Sequence, residues 1–211
     1  MKYIYFDFDG TIANSVDLGI EIIDILAPKH GFKTVDKSKI DYYRNLSSQD
    51  LIKEFNIPLI KLPFLAPLFK IELSKRIDDL NPYPGIKEML EYLSGKYFLG
   101  ILTSNNVDNV NHFLEKHELA KYFSDVRSEF QMFGKHLSLK KIIKKNKIKK
   151  NKFIYVGDET RDIEAAKKVK AKTIAITWGF GGERILRKYN PDFIVSSAEE
   201  ITACVDELFA E

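Results

Sequence analysis

Cysteine is almost missing from this chain: its 211 residues include one, Cys204, so no internal disulfide framework can form. A reducing compartment fits that usage, and Cys204 itself reads as a small apolar side chain in the last helix. Long apolar runs are missing as well. The N-terminal run is cut by Asp7 and Asp9, so no secretory leader is expected. The greasiest later stretch, Ile57 to Leu73, carries Lys61, Lys70, Glu72, Pro58, Pro63 and Pro67, which excludes a membrane span. Charge of one sign is scarce too, since a net +3 does not by itself argue for nucleic acid or a membrane surface. A soluble cytoplasmic protein is therefore expected. What the chain does have is 45% hydrophobic residues, enough for one substantial core together with a small second domain.

The chain opens on an aromatic and β-branched run, Tyr3-Ile4-Tyr5-Phe6, that reads as a buried strand. It stops at two carboxylates, Asp7 and Asp9, and at Gly10, which permits a sharp turn. Helical spacing begins at Asn14-Ser15 and ends near His30-Gly31, where the glycine can cap. Further helical segments are predicted at about 38–56 and 58–79, with no strand among them. A helical stretch of roughly sixty to seventy residues is far too long for a simple crossover and reads as an inserted lid. Asn81-Pro82-Tyr83-Pro84-Gly85 punctuates the return from it. Natural hinges are Asn14–Ser15 and Asp79–Tyr83.

From there strands and helices alternate. Strands are predicted at Tyr97–Thr103, Asp125–Ser128, Lys152–Val156, Thr173–Thr177 and Asp192–Val195, with helices between them and a closing helix from Ala198. That alternation predicts an α/β fold with a Rossmann-like, doubly wound, mainly parallel sheet and right-handed crossovers.

Polar groups gather where these strands end, the edge at which open α/β sheets bind ligands. Asp7 and Asp9 come first, and buried together they need a cation or a shared proton. The second strand ends in Thr103-Ser104-Asn105-Asn106, ahead of a helix whose N-terminus can face an anion; these residues also serve as ordinary N-caps. Next stands Lys135, in Phe133-Gly134-Lys135 at the start of a helix, a point charge suited to a phosphoryl group or a nucleophilic carboxylate. A crowd of lysines follows it on a solvated face around the Leu139, Ile142 and Ile143 stripe, and Lys140 is the alternative for the same role. Last comes Val156-Gly157-Asp158, with Asp162 about one helical turn further on and able to face the same crevice. Hard oxygen ligands from two strand ends suit magnesium. Glu159 reads as an N-cap acid. Arg44, Asn45, Ser47 and Ser48, inside the lid, either face a ligand or simply end and cap a helix.

Asp7-Phe8-Asp9-Gly10-Thr11 resembles the first motif, D-x-D-G-T, of the haloacid dehalogenase superfamily of phosphohydrolases. The other stations follow in that family's order: Thr103 matches its second motif, Lys135 its third, and Gly157-Asp158 with Asp162 its fourth. Pro82-Tyr83-Pro84-Gly85 and Val156-Gly157-Asp158 look like the phosphoglycolate phosphatase branch. The resemblance implies a haloacid dehalogenase-type catalytic core from residues 1–14 and 81–211, with a helical cap domain at 15–80.

It also implies Mg2+-dependent hydrolysis of a small phosphorylated metabolite, phosphoglycolate-like or other, through an aspartyl-phosphate. Asp7 would be the nucleophile and Asp9 the general acid and base. Thr103 and Lys135 would hold the substrate phosphate. Magnesium would be held by Asp7, the Asp9 backbone carbonyl and Asp158, with Asp162 orienting its waters. Asp9 speaks against dehalogenation, because a halide leaving group needs no proton. None of Lys29, Lys33, Lys37, Lys39, Lys53 and Lys61 stands out as the Schiff-base lysine that phosphonate cleavage would require. A phosphomutase or phosphotransferase on the same scaffold stays open. From a different class, so does a non-catalytic nucleic-acid-binding module using the lysine-rich 135–152 stretch, although that run lacks interleaved aromatics for base stacking. The expected partner is a small phosphorylated metabolite, with neither membrane nor nucleic acid.

Overall fold

In the computed structural model, which describes residues 1–129 and 134–210 with every side chain except that of Lys150, the N-terminal apolar run forms strand β1 (Tyr3–Phe6). The chain then enters a helical segment with α1 (Val16–His30), α2 (Ile40–Arg44), α3 (Ser48–Glu54) and α4 (Leu62–Ser74). Beyond it come α5 (Ile86–Ser94), β2 (Phe98–Thr103), α6 (Val107–Lys116), β3 (Asp125–Ser128), α7 (Lys135–Lys145) and β4 (Phe153–Gly157). The chain closes with α8 (Thr160–Lys168), β5 (Lys172–Ile176), α9 (Glu183–Lys188), β6 (Phe193–Val195) and α10 (Ala198–Ala210).

All strand pairs are parallel, in the order β3-β2-β1-β4-β5-β6. The doubly wound α/β sheet expected from the alternation is therefore the observed one. Strand order reverses at β1, which lies between β2 and β4, so the tip of β1 stands at the switch point of the sheet.

Alternate residues along each strand serve opposite faces. Ile4 and Phe6 join Leu90 of α5, Phe113 of α6 and Ile201 of α10 in one buried layer. Tyr5, Phe153 and Tyr155 join Leu139 and Ile142 of α7 and Ala166 of α8 in the other. Each large side chain so buried contributes about 1.5–3 kcal/mol. The layer is tight enough to dictate a glycine: a Cβ on Gly100 would lie 2.5 Å from the Tyr5 ring.

The helical segment is more broken than its periodicity predicts. The 38–56 stretch splits because Ser47 is extended and its Oγ accepts from Asp50 N at 3.2 Å, ending one helix and starting the next. In the 58–79 stretch, extended Pro58 leads into a short 3-10 turn before α4, and a second such turn, Ile77–Asp79, follows it. Gly31, at φ +74°, caps α1 as expected. The outgoing and returning chains run side by side: Asn14 N donates to Asn81 O at 2.9 Å and Tyr83 N to Ile12 O at 3.1 Å. Among the described residues no helix is long and apolar enough to cross a membrane.

Candidate active site

The tips of β1, β2 and β4 and the first turns of α7 and α8 bring six of the expected residues into two groups. Asp7 follows directly on β1, anchored by its own N–H donating to Val156 O at 2.9 Å. Asp158 follows β4, and Asp162 lies in the first turn of α8. Carboxylate oxygens of Asp7, Asp158 and Asp162 lie within 4.8 Å of one another, and all three residues are buried. Lys135, the first residue of α7, reaches into this group and donates to Asp7 Oδ2 at 2.8 Å and to Asp162 Oδ1. Lys140 points to solvent instead. Of the two candidate lysines, Lys135 is thus the one within this cluster; Phe133 lies outside the described residues.

The loop after β1 is shaped by Asp158. Thr11 Oγ1 donates to Asp158 Oδ1 at 2.9 Å, so this hydroxyl ties the β1 loop to the tip of β4. Gly10 sits at φ +73°, and a Cβ there would meet Asp158 Oδ2 at 2.4 Å. On the far side, Phe180 N donates to the same Oδ2 at 2.7 Å, and a Cβ on Gly179 would meet it at 2.3 Å. The Gly179-Phe180-Gly181-Gly182 loop therefore wraps closely around the Asp158 carboxylate.

Asp9 is held by a different neighbour. Asn105 Nδ2 donates to both of its carboxylate oxygens, at 3.2 and 3.0 Å. Asn105 is in turn tied to Thr103, whose fully buried Oγ1 accepts from Asn105 N at 3.0 Å. Of the three polar residues after Thr103, the cap is Asn106, which accepts from Asp108 N at 3.1 Å, leaving Asn105 free to hold Asp9. Asp9 also forms the floor of a cavity of about 270 Å3, flanked by Ser104, Asn105, Arg161 and, from α4, Lys70.

Burial dominates the electrostatics. It pushes the Asp7 carboxyl up to about 6, against the opposing pull of Lys135. Burial and then the charge of Asp7 push Asp9 up to about 7, although Asn105 and Ser15 favour its ionised form. Asp158 is held well above the usual carboxylate range by burial and by its neighbours Glu159, Asp162 and Asp7. Burial works against a charged Lys135, but Asp162 and Asp7 outweigh it and keep the ammonium firmly protonated.

Three carboxylates against one ammonium leave the cluster short of positive charge, and the donors are all hard oxygens. That donor set fits a magnesium ion. Asp162 has a structural duty as well: its side chain accepts from Glu159 N at 3.1 Å and closes a capping box at the start of α8.

Several neighbours carried no clear sequence signal. Arg161 holds Glu159 at 2.9 Å through Nε while bordering the cavity. Arg44 Nη2 donates to Thr177 O, its own carbonyl accepts from Gly182 N at 2.6 Å, and Ser48 Oγ donates to Glu159 at 3.3 Å. Arg44 thus fastens onto the loop that wraps Asp158 and Ser48 onto Glu159; neither lines the cavity above Asp9. The run of glycines at 179, 181 and 182 was the available signal for that loop.

Residues 4–176 match the family model for haloacid dehalogenase-like hydrolases. A phosphoglycolate phosphatase of Synechococcus elongatus is 29% identical over 100% of both chains. One of Vibrio parahaemolyticus is 28% identical, covering 97% of this chain and 96% of its own. A haloacid dehalogenase-like family hydrolase of Streptococcus pneumoniae superposes with a TM-score of 0.80 at 22% identity, covering 97% of this chain and 98% of its own, a likeness of fold.

Proposed function

Because the chain belongs to the haloacid dehalogenase-like hydrolases, we propose that it is a magnesium-dependent phosphatase that hydrolyses a small phosphorylated metabolite through an aspartyl-phosphate on Asp7. The observation carrying this reading is the buried Asp7–Asp158–Asp162 cluster bridged by Lys135, with Asp9 lining an adjoining cavity. Two carboxylates two residues apart thereby face two different tasks.

In the first half-reaction Asp7 Oδ forms a bond to phosphorus while the ester P–O bond breaks, and the leaving alkoxide takes the proton carried by Asp9. A carboxyl at about 7 can hold that proton at neutral pH and release it again. In the second half-reaction water attacks the same phosphorus, giving its proton to Asp9, and the Asp7 carboxylate departs. Asn105 holds the Asp9 carboxylate in place through both halves. Thr103 and Lys135 hold the phosphoryl oxygens, and Lys135 also keeps Asp7 aligned.

Asp7, the Asp9 backbone carbonyl and Asp158 would hold the magnesium ion, with Asp162 beside it. When bound, the ion offsets the repulsion between an anionic nucleophile and an anionic phosphate. Residues 15–80 act as a lid over residues 1–14 and 81–211; the adjacent Asn14–Asn81 and Ile12–Tyr83 connections support that division, since the segment leaves and returns at one point. The reading also puts the enzyme in the cytoplasm, in keeping with its single free cysteine.

A panel of phosphorylated metabolites including phosphoglycolate, nucleotides and sugar phosphates, assayed with magnesium, tests this reading. Release of inorganic phosphate is expected. Formation of an isomeric phosphate ester without phosphate release would establish a mutase instead.

A further inference from the structure

The cavity over Asp9 has two unlike halves. Core residues and Lys70 make its polar floor, whereas the rest of its wall, supplied by the helical segment, is apolar: Leu26, Phe32, Leu62, Leu65, Phe69 and Leu73. Among the described residues Lys70 is the one charged side chain that the segment contributes to this lining. Arg161, the second cation of the lining, is already held by Glu159.

The volume, about 270 Å3, corresponds to roughly nine waters at their liquid density of about 30 Å3 each. Glycolate, a two-carbon carboxylate, would fill little of it. It would also leave most of the apolar wall uncovered.

Resting on the phosphatase reading above, we infer that the alcohol half of the substrate is an apolar group of roughly six to nine non-hydrogen atoms, seated between α1 and α4 with its phosphate on the strand tips. The ester oxygen then lies at the floor, where Asp9 protonates it, and the carbon body is drawn from water by the apolar wall. Ile23 and Ile57 limit the length that fits. Both line this cavity and also a second apolar one, of about 180 Å3, on their far side.

The test is a series of n-alkyl phosphates from ethyl to heptyl, compared with phosphoglycolate in the presence of magnesium. Simple alkanols differ little as leaving groups, so kcat/KM reports burial of the chain. We expect a rise of about fourfold per added methylene until the cavity is full, with hexyl phosphate surpassing both ethyl phosphate and phosphoglycolate. Binding of the matching n-alkylphosphonates, measured by calorimetry, should tighten along the series in the same way. Ala66→Phe, which places a ring in the cavity, should flatten the series by lowering the hexyl-to-ethyl ratio; Ala66→Leu should do so more mildly if the larger side chain prevents folding.

A flat or falling series, or phosphoglycolate ranking above hexyl phosphate, overturns this inference while leaving the phosphatase reading intact. No phosphate release from any of these esters or from the metabolite panel overturns both.

Discussion

Replacing Lys135 by methionine would test the buried charge cluster independently of any substrate. The ammonium is buried between Asp7, at 2.8 Å, and Asp162, and the substitution keeps the bulk of the side chain while removing the charge. Breaking a buried pair by removing one partner costs about 3–5 kcal/mol, because the other partner is left charged and unpaired. For a chain of this size that corresponds to a fall in Tm of roughly 10 °C. The assay is thermal unfolding followed by circular dichroism in a chelator, so that no cation substitutes for the ammonium. The penalty should shrink as pH falls. The ammonium pulls the Asp7 carboxyl down toward about 6; without it the carboxyl rises further, so below that range it is neutral and needs no counter-charge. Adding Asp162→Asn should restore part of the loss by removing one of the unpaired acids. A Lys135→Met protein melting within about 1 °C of its parent in chelator would refute the reasoning.

Other perturbations give distinct signatures. Gly10→Ala forces a Cβ into the left-handed region and against Asp158, and should cost about 1–3 kcal/mol by denaturant unfolding together with most of the turnover. Asn105→Ala removes both hydrogen bonds from the Asn105 amide to Asp9, so kcat should fall at least tenfold while KM changes little; an unchanged kcat would remove Asn105 from the positioning of that acid. Magnesium at about a hundred times its dissociation constant should stabilise the protein by about 2.7 kcal/mol, a gain that Asp158→Asn should largely abolish.

Part of this site could be read from the chain because three of its groups end apolar runs. Asp7, Thr103 and Asp158 sit at strand tips, and strand tips are the part of an α/β sheet that hydrophobic patterning locates best. Lys135 was ambiguous among its many lysine neighbours, yet it shares a helical face with Leu139 and Ile142, and that buried stripe separates it from Lys140. Other partnerships depend on which strands become neighbours. Thr11 meets Asp158 across 147 residues, and Asn105 meets Asp9 across 96, contacts that local spacing does not encode. The helical segment was the least legible part: Ser47 and Pro58 break it by capping and by backbone restriction, while Arg44 and Ser48 fasten onto the core loop and Glu159, away from the cavity.

The most direct test of the central claim is to quench the enzyme in acid during turnover and to search its peptides by mass spectrometry for a phosphoryl group. A phosphoryl group on the carboxylate of Asp7, absent from Asp7→Asn, is the predicted result. Substantial phosphate release by Asp7→Asn, or a phosphoryl group carried by another residue, would contradict it.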